Sequence, residues 1–421
     1  MGRLGIDYLI YMNNIYHRET GDSHLQTGKP CQDFAYAQSS DSLSMAIISD
    51  GHGGEPYFRS HIGSELAVNI TRSALCELVE NLQDSFFEDA KFTSYSKDSA
   101  TDEQIKSKQH KQLTWLFSSI ISRWNNAIAE DARNRELSDW EQQHVDQKYL
   151  DAFKAKLNDD NATFEKTYGC TLMAYVQTPD YWFAFHIGDG KCIFMSVDDG
   201  KLVCNQPIPW DDKCFLNKTT SLCDSHALEE FRYCYQANGE FPLAVFLGSD
   251  GLDDSFGDGE VLNNFYIQLY KQAIKSGNET AFKVLKKSFP IISARGSKDD
   301  MSVACVYTDS DDKNVFPILI AYQKEWQRSL VKEAEEKLKA CLSKIDSFGN
   351  PEELNQEQQI NLEYAKKDKD KAELSVKKAN ARIKELDEEL SRFFRGQQKH
   401  TPKNHKSNKV QHYLSHKKNK K

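Results

Sequence analysis

Five aspartates border short apolar runs along this chain, four of them beside glycine or a second acid. In order they fall in Gln32-Asp33, Asp50-Gly51-His52-Gly53-Gly54, Gly188-Asp189-Gly190, Ser249-Asp250-Gly251-Leu252 and Asp299-Asp300-Met301-Ser302. The runs beside them, Ser44 to Ser49, Trp182 to Ile187, Leu243 to Gly248 and Ser302 to Tyr307, have the length and content of buried strands. A fold that brings such strand ends together brings carboxylates together, which is how a hard-metal site is built from distant parts of a chain. Oxygen donors suit Mg²⁺ and Mn²⁺. Two such ions about 4 Å apart can clamp and attack a phosphoryl group.

The rest of the chain sets bounds on this reading. At 421 residues, with 39% hydrophobic content and 23 phenylalanines, it can bury a sizeable core. A formal charge of −9 argues against nucleic-acid binding by the whole protein. Its ten cysteines include no CxxC pair, so reduced thiols in a cytoplasmic protein are the expectation. Met1 to Asn14 is too short to span a bilayer, and no segment reads as transmembrane.

Strands are expected at Asp33–Ala37 and Ser44–Ser49, followed by a helix from Tyr57 to Asn81. A loop over 84–110 and helical periodicity over 111–157 come next. Cys170–Gln177, Trp182–Ile187, Lys191–Ser196 and Leu202–Asn205 read as a meander. Helices at Val261–Lys275 and Thr280–Phe289 separate two further strands. Beyond 318 the pattern becomes a heptad seam: Val331, Ala334, Leu338, Cys341 and Ile345, then Leu362, Ala365, Lys369, Ala372, Val376, Ala379, Ile383, Leu386, Leu390 and Phe393. Gly349, Asn350 and Pro351 suit the turn between the two helices. The expected organisation is a domain over 1–312 with an insert at 84–160, a coiled-coil helical hairpin over 318–395, and a basic disordered tail over 396–421.

Singly, none of the five acidic motifs is decisive. Asp50 to Gly54 offers a carboxylate, a bare backbone that lets a carbonyl approach an ion, and a histidine able to protonate a leaving oxygen. It equally fits a tight turn. Asp250-Gly251 is a common turn dipeptide, Asp299-Asp300 an ordinary acidic loop, and Gly188-Asp189-Gly190 a default hairpin turn. Their order on one strand scaffold carries the information.

That order resembles the type 2C (PPM) family of metal-dependent serine/threonine protein phosphatases. Ser23-His24 through Gly28-Lys29-Pro30-Cys31-Gln32-Asp33 is similar to its bacterial branch. The resemblance spans about residues 20–308, with the insert poorly matched. It implies an α+β fold of two packed antiparallel β-sheets flanked by helices, with Mn²⁺ or Mg²⁺ as cofactor: two ions, and a third held more weakly. By resemblance Asp50 bridges the ions, Gly51 gives a carbonyl ligand, and Asp250 and Asp299 are the other direct ligands. Asp33 acts on a metal-bound water or a neighbouring ligand, Asp189 serves the third ion, and His52 is the general acid. Gly169-Cys170-Thr171 matches a structural element. The arginine expected shortly before Asp33 is missing, which leaves Lys29 or His24 to grip phosphate. Gly190 stands where serine is usual, and Asp300 where asparagine is common.

The reaction so implied is hydrolysis of phosphoserine or phosphothreonine in a protein substrate. A hydroxide bridging the ions attacks, with no phosphoenzyme, in signalling that opposes a kinase. The alternative is a catalytically weak phosphoprotein-binding scaffold that works through its coiled coil, which the absent arginine favours and the retained acids oppose. A phosphatase of small phosphate esters is a third reading. Self-association or a partner helix is expected along 331–393, and an acidic partner for the tail.

Overall fold

The computed structural model describes residues 12–399 apart from 83–85, 89, 212–213, 215–218, 238–240, 258 and 309–311. The N-terminal stretch before residue 12 and the basic tail from 400 onward lie outside the described residues. The chain divides into two compact units, Met1–Leu319 and Ile320–Lys421.

The strands of the first unit are, in chain order, β1 (Met12–Glu19), β2 (Phe34–Ser39), β3 (Ser44–Ser49), β4 (Thr93–Tyr95), β5 (Leu172–Gln177), β6 (Tyr181–Ile187), β7 (Lys191–Asp198), β8 (Lys201–Asn205), β9 (Arg232–Ala237), β10 (Ala244–Gly248) and β11 (Met301–Thr308). They form two sheets, ordered β1-β11-β10-β7-β8 and β2-β3-β5-β6-β9-β4. Every pairing is antiparallel. The sheets face each other across a core in which Ala35, Ala37, Ala46, Ala184 and Ala304 leave room for Tyr175, Trp182 and Phe194. Small residues opposite large ones let two twisted sheets interdigitate.

Helices cover both outer faces. On the six-stranded sheet lie the Ser60–Asn81 and Lys108–Asn134 helices. Trp124 is fully buried between them, and its indole donates to the Gly63 carbonyl at 2.9 Å. Any side chain at Gly63 would collide with Tyr168. Phe117 stacks on Phe231 at 4.3 Å, and burial of such a ring stabilises by roughly 1.5–3 kcal/mol. On the five-stranded sheet lie the Gly259–Ser276 and Asn278–Arg295 helices, with Tyr266 stacked on Phe246 at 4.5 Å.

The structure departs from the sequence expectations in five places. The expected meander is split: β5 and β6 pair in one sheet, β7 and β8 in the other. Gly188-Asp189-Gly190 is therefore not a hairpin turn but the crossing between sheets, with Gly188 at φ 130°. Apolar alternation reports burial and not which sheet a strand joins, so the pattern could not reveal this. Strands β1, β4 and β9 were not expected, being short or rich in polar residues. The expected loop over 84–110 contains β4 and the Asp102–Lys106 helix, opened by a Thr101/Gln104 capping box. The 111–157 helical stretch is three helices, broken where Ser138 and Asp146 cap new starts. Pro290 sits inside the Asn278–Arg295 helix instead of ending it.

The second unit carries most of a helical hairpin. The Asp312–Asp346 helix enters it from the first unit, and a turn follows with Gly349 at φ 66° and Asn350 capping Glu352. The return helix is Gln356–Lys399, so it runs past 396, where the tail was expected to begin. Ala365, Ala372, Ala379, Leu386 and Phe393 are all buried at steps of seven, the spacing that keeps one face of a helix on its neighbour. An ion pair between Lys324 and Asp387 helps fix the antiparallel register. Among the described residues no helix is long and apolar enough to cross a membrane.

Candidate metal centre

Strand register brings the five expected aspartates to one end of the sandwich. Phe34 pairs with Ser49, so Asp33, just before β2, lies across the ladder from Asp50, just after β3. Gly248 pairs with Val303 and with Lys191. Asp250 after β10 thus lies near both Asp299 before β11 and Asp189 before β7. Backbone bonds between Ser249 and Ser302 lock this junction, N to O at 3.1 Å, and the Ser302 amide also donates to Ser249 Oγ at 2.9 Å.

The carboxylates crowd one another. Burial first, then Asp300, holds the Asp33 carboxyl well above the usual range, with Ser249 and Ser302 hydroxyls easing it. Burial, then Asp250 and Asp33, does the same to Asp50, whose carboxyl shares a hydrogen bond with Asp250. Burial and Asp250 push Asp189 up to about 6. Loss of water and then Asp250 also raise Asp299, the most exposed of the set. Asp250 is the shared neighbour of Asp33, Asp50, Asp189 and Asp299. Such crowding favours protons or cations in the site.

Around this cluster the backbone is tightly held. The Gly51 amide donates to the Gln32 carbonyl at 3.1 Å, and a Cβ on Gly51 would meet the Gln32 and Ser60 carbonyls below 3 Å. Thr171 exchanges bonds with Asp50 through its amide, at 2.8 Å, and its hydroxyl, at 3.0 Å. His52 is held between Tyr57, edge-to-face at 4.8 Å, and Ser221, whose Oγ is 2.8 Å from Nε2. Burial pushes His52 down to about 4, against the pull of Asp250.

The two candidates for gripping phosphate are placed differently. Lys29 lies beside the acids, its Nζ 2.9 Å from the Gly53 carbonyl, and burial lowers its pKa against the charges of Asp300 and Asp299. His24 is buried with Nδ1 2.9 Å from Asp300 Oδ2. Asp300 also accepts from the Gly21 and Gln32 amides. It ties the 21–32 loop to β11. His24, Asp299 and Asp300 bring three potential ligand atoms within 4.8 Å of one another, but Asp300 and His24 Nδ1 are already committed to these struts. Sequence reasoning missed Thr171 as the partner of Asp50, Ser221, and the strut role of Asp300. A cavity of about 560 Å³ opens beside Asp189 and Asp250, lined also by Lys191, Gln206, Trp210 and Asp254.

The sequence profile described as Protein phosphatase 2C matches residues 20–287, more than half of the chain and four of the five aspartates. The chain belongs to the protein phosphatase 2C family. It is thereby a metal-dependent protein phosphatase, and Asp299, beyond the matched residues, joins the same cluster in space. No curated protein matches the chain in sequence. Among solved structures, similarity extends to the catalytic domain of the serine/threonine phosphatase PstP in complex with two manganese ions: 16% identity, 71% of this chain and 98% of that one covered, TM-score 0.39. The PstP/Ppp phosphatase of Mycobacterium tuberculosis is 14% identical, with 71% and 100% covered and a TM-score of 0.38. The serine-threonine phosphatase 2C of Toxoplasma gondii is 11% identical, with 71% and 95% covered and a TM-score of 0.42.

The residues of this phosphatase 2C chain fit a hard divalent ion. The donors are carboxylate oxygens and a glycine backbone with no side chain in the way. Asp33 Oδ2 is buried without a hydrogen-bond partner among the described residues, a costly state for a carboxylate unless an ion or an ordered water satisfies it.

Proposed function

We propose that this protein hydrolyses phosphoserine and phosphothreonine in protein substrates, with Asp50, the Gly51 carbonyl, Asp250 and Asp299 holding two Mn²⁺ or Mg²⁺ ions. Asp33 acts on this pair from its buried position, and Asp189 serves a weaker third site. The observation that carries the reading is the meeting of five carboxylates from both sheets around Asp250. Such a cluster repels a phosphate dianion until cations reverse the local field. When bound, the ions supply that charge and the acidity that turns water into hydroxide near neutral pH.

The chain's own groups complete the chemistry. Lys29 takes the phosphate-gripping role that the absent arginine leaves open, as a point charge with less directional hold than a guanidinium. His24 supports the loop through Asp300. His52 protonates the departing serine or threonine oxygen, a poor leaving group as alkoxide. Residues 331–393 serve self-association or a partner helix, in a protein that signals in the cytoplasm.

The test is phosphate release from a phosphothreonine peptide by purified protein, with and without Mn²⁺, beside Asp250→Asn. Release that requires Mn²⁺ and is lost in the variant is the expected result. Folded protein that releases nothing at any metal concentration would favour the phosphoprotein-binding scaffold instead. Release from small phosphate esters alone would move the substrate class away from proteins.

A further inference from the structure

Resting on Lys29 as the phosphate grip proposed above, we infer that Trp140 is a positioning residue for substrate binding: from the insert, its indole fixes the end of the short helix that delivers Lys29 to the metal centre. The sequence reading left the insert at 84–160 without a role. The fold brings one of its side chains to the substrate loop.

Lys29 leaves the Asp22–Thr27 helix through a left-handed turn. Gly28 caps that helix at φ 67°, and the Lys29 amide donates to the His24 carbonyl at 3.0 Å. The last carbonyls of any helix lack partners of their own. That of Thr27 accepts the Trp140 indole N–H at 3.2 Å. A Cβ on Gly28 would lie 3.9 Å from Trp140 Cδ1, so the ring rests against bare glycine backbone. The next residue, Lys29, sends its Nζ to 2.9 Å from the Gly53 carbonyl, beside His52. An ammonium has three donors, so two remain for phosphate oxygens.

The two ends of this helix are held from different parts of the chain. At its start the Gly21 amide donates to Asp300 Oδ1 at 2.7 Å, and the Ser23 amide to the Lys298 carbonyl at 3.0 Å. At its end the hold from outside the loop is Trp140, which is itself firmly mounted. Ser138 and Glu141 form a capping box that opens the Asp139–His144 helix, and buried Glu141 accepts from Arg59 Nε at 2.6 Å. The indole stacks on the His144 ring at 5.1 Å with planes 12° apart, and His144 Nδ1 is 3.0 Å from the Trp140 carbonyl. A ring clamped in this way keeps its N–H on Thr27. Without it, the turn at Gly28 gains freedom that phosphate binding must then remove, and affinity falls. The carboxylates and His52 sit on other elements and keep their places.

The experiment measures KM and kcat for a phosphothreonine peptide with Mn²⁺ in wild type, Trp140→Ala, Trp140→Phe, Lys29→Met and the Trp140→Ala/Lys29→Met pair. Trp140→Ala is expected to raise KM about fivefold and to leave kcat within about twofold, the signature of lost binding without lost chemistry. Trp140→Phe keeps a ring but no N–H, and should raise KM about twofold. The Lys29→Met background decides between positioning and mere support. A residue that acts through Lys29 has nothing left to aim there, so Trp140→Ala should change KM by less than about 1.5-fold. Support for the fold alone would multiply KM by the same factor in both backgrounds. That result, or an unchanged KM in Trp140→Ala, would overturn the inference while the phosphatase reading stands. If circular dichroism shows Trp140→Ala unfolded, Trp140→Phe in the two backgrounds supplies the same comparison. Lys29→Met with unchanged KM would remove the phosphate grip and this inference with it. Wild-type protein that turns over no peptide would remove the phosphatase reading as well.

Discussion

Asp50 and Asp250 are neighbours in a crowd of acids, and each replacement there removes charge without removing volume. Asp50→Asn and Asp250→Asn are expected to lower Mn²⁺-dependent turnover by at least about a hundredfold. Metal-free, Asp250→Asn should melt no lower than the parent, because a repelling charge has gone, and it should lose the upward shift that Mn²⁺ gives the parent. Circular dichroism melts beside phosphate release separate these effects. The pH dependence has a definite sign. Asp33, Asp50, Asp189 and Asp299 bind protons more tightly folded than unfolded. Their contribution to metal-free stability is full below the ordinary value of 3.8 and is lost as pH rises through about 6 at Asp189. Buried His186 and His61 act oppositely: burial lowers both, His61 to about 4, and their contribution is lost as pH falls below 6.5. The histidine effect is common to both metal states. The Mn²⁺-induced rise in melting temperature should therefore be small near about pH 5 and grow toward about pH 7.5, as protons cease to compete. A rise that shrinks with pH would contradict this. The acids were legible because glycine and strand ends mark them. Thr219 to Asp224 carries no such mark, and Ser221 gains meaning only once the fold brings it to His52.

At the level of elements, a buried guanidinium helps tie the insert to the helix behind the site. Arg59 is wholly buried at the start of the Ser60–Asn81 helix. Its Nε donates to Glu141 at 2.6 Å, Nη1 to the Tyr168 hydroxyl at 3.1 Å, and Nη2 to the Arg135 and Glu136 carbonyls. Removing one partner of a buried pair strands the other, so Arg59→Ala should cost about 3–5 kcal/mol in urea unfolding. A loss under about 1 kcal/mol would mean that water replaces the guanidinium. A second link runs through Trp140, whose indole donates to the Thr27 carbonyl at 3.2 Å, beside the loop that presents Lys29. None of this was legible: periodicity predicted helices in the insert but not their breaks or their attachments. The buried strands were read nearly to the residue, because both faces are apolar. β1 and β9 were missed for the opposite reason: β1 carries Asn, His and Arg at half-buried or exposed positions around a single buried Ile15, and β9 opens on a buried Arg232. The heptad seam was plain because steps of seven need no tertiary information.

The whole chain is two units joined inside one helix, and the joint decides where it can be cut. Phe316 and Leu319 are fully buried parts of the first unit, so a chain ending before 312 should lose stability by about 2–5 kcal/mol. A chain ending at Gln327 keeps both, and should retain Mn²⁺-dependent turnover within about threefold, since compact units of this size fold alone. Light scattering on the two lengths reads whether the hairpin sets the assembly state. Turnover lost at Gln327 would mean that the hairpin completes the site. The crossing of sheets at Gly188-Asp189-Gly190 has a further consequence in time. Asp33 and Asp50 belong to one sheet, Asp250 and Asp299 to the other, and Asp189 to the passage between. With the proposed ligands, no cation finds its full set of oxygens until both sheets have closed. Occupancy should therefore leave the refolding rate nearly unchanged and slow the unfolding rate, since the ions act on the native state and not on the barrier before it. The loaded protein becomes one whose halves come apart only as fast as its ions leave.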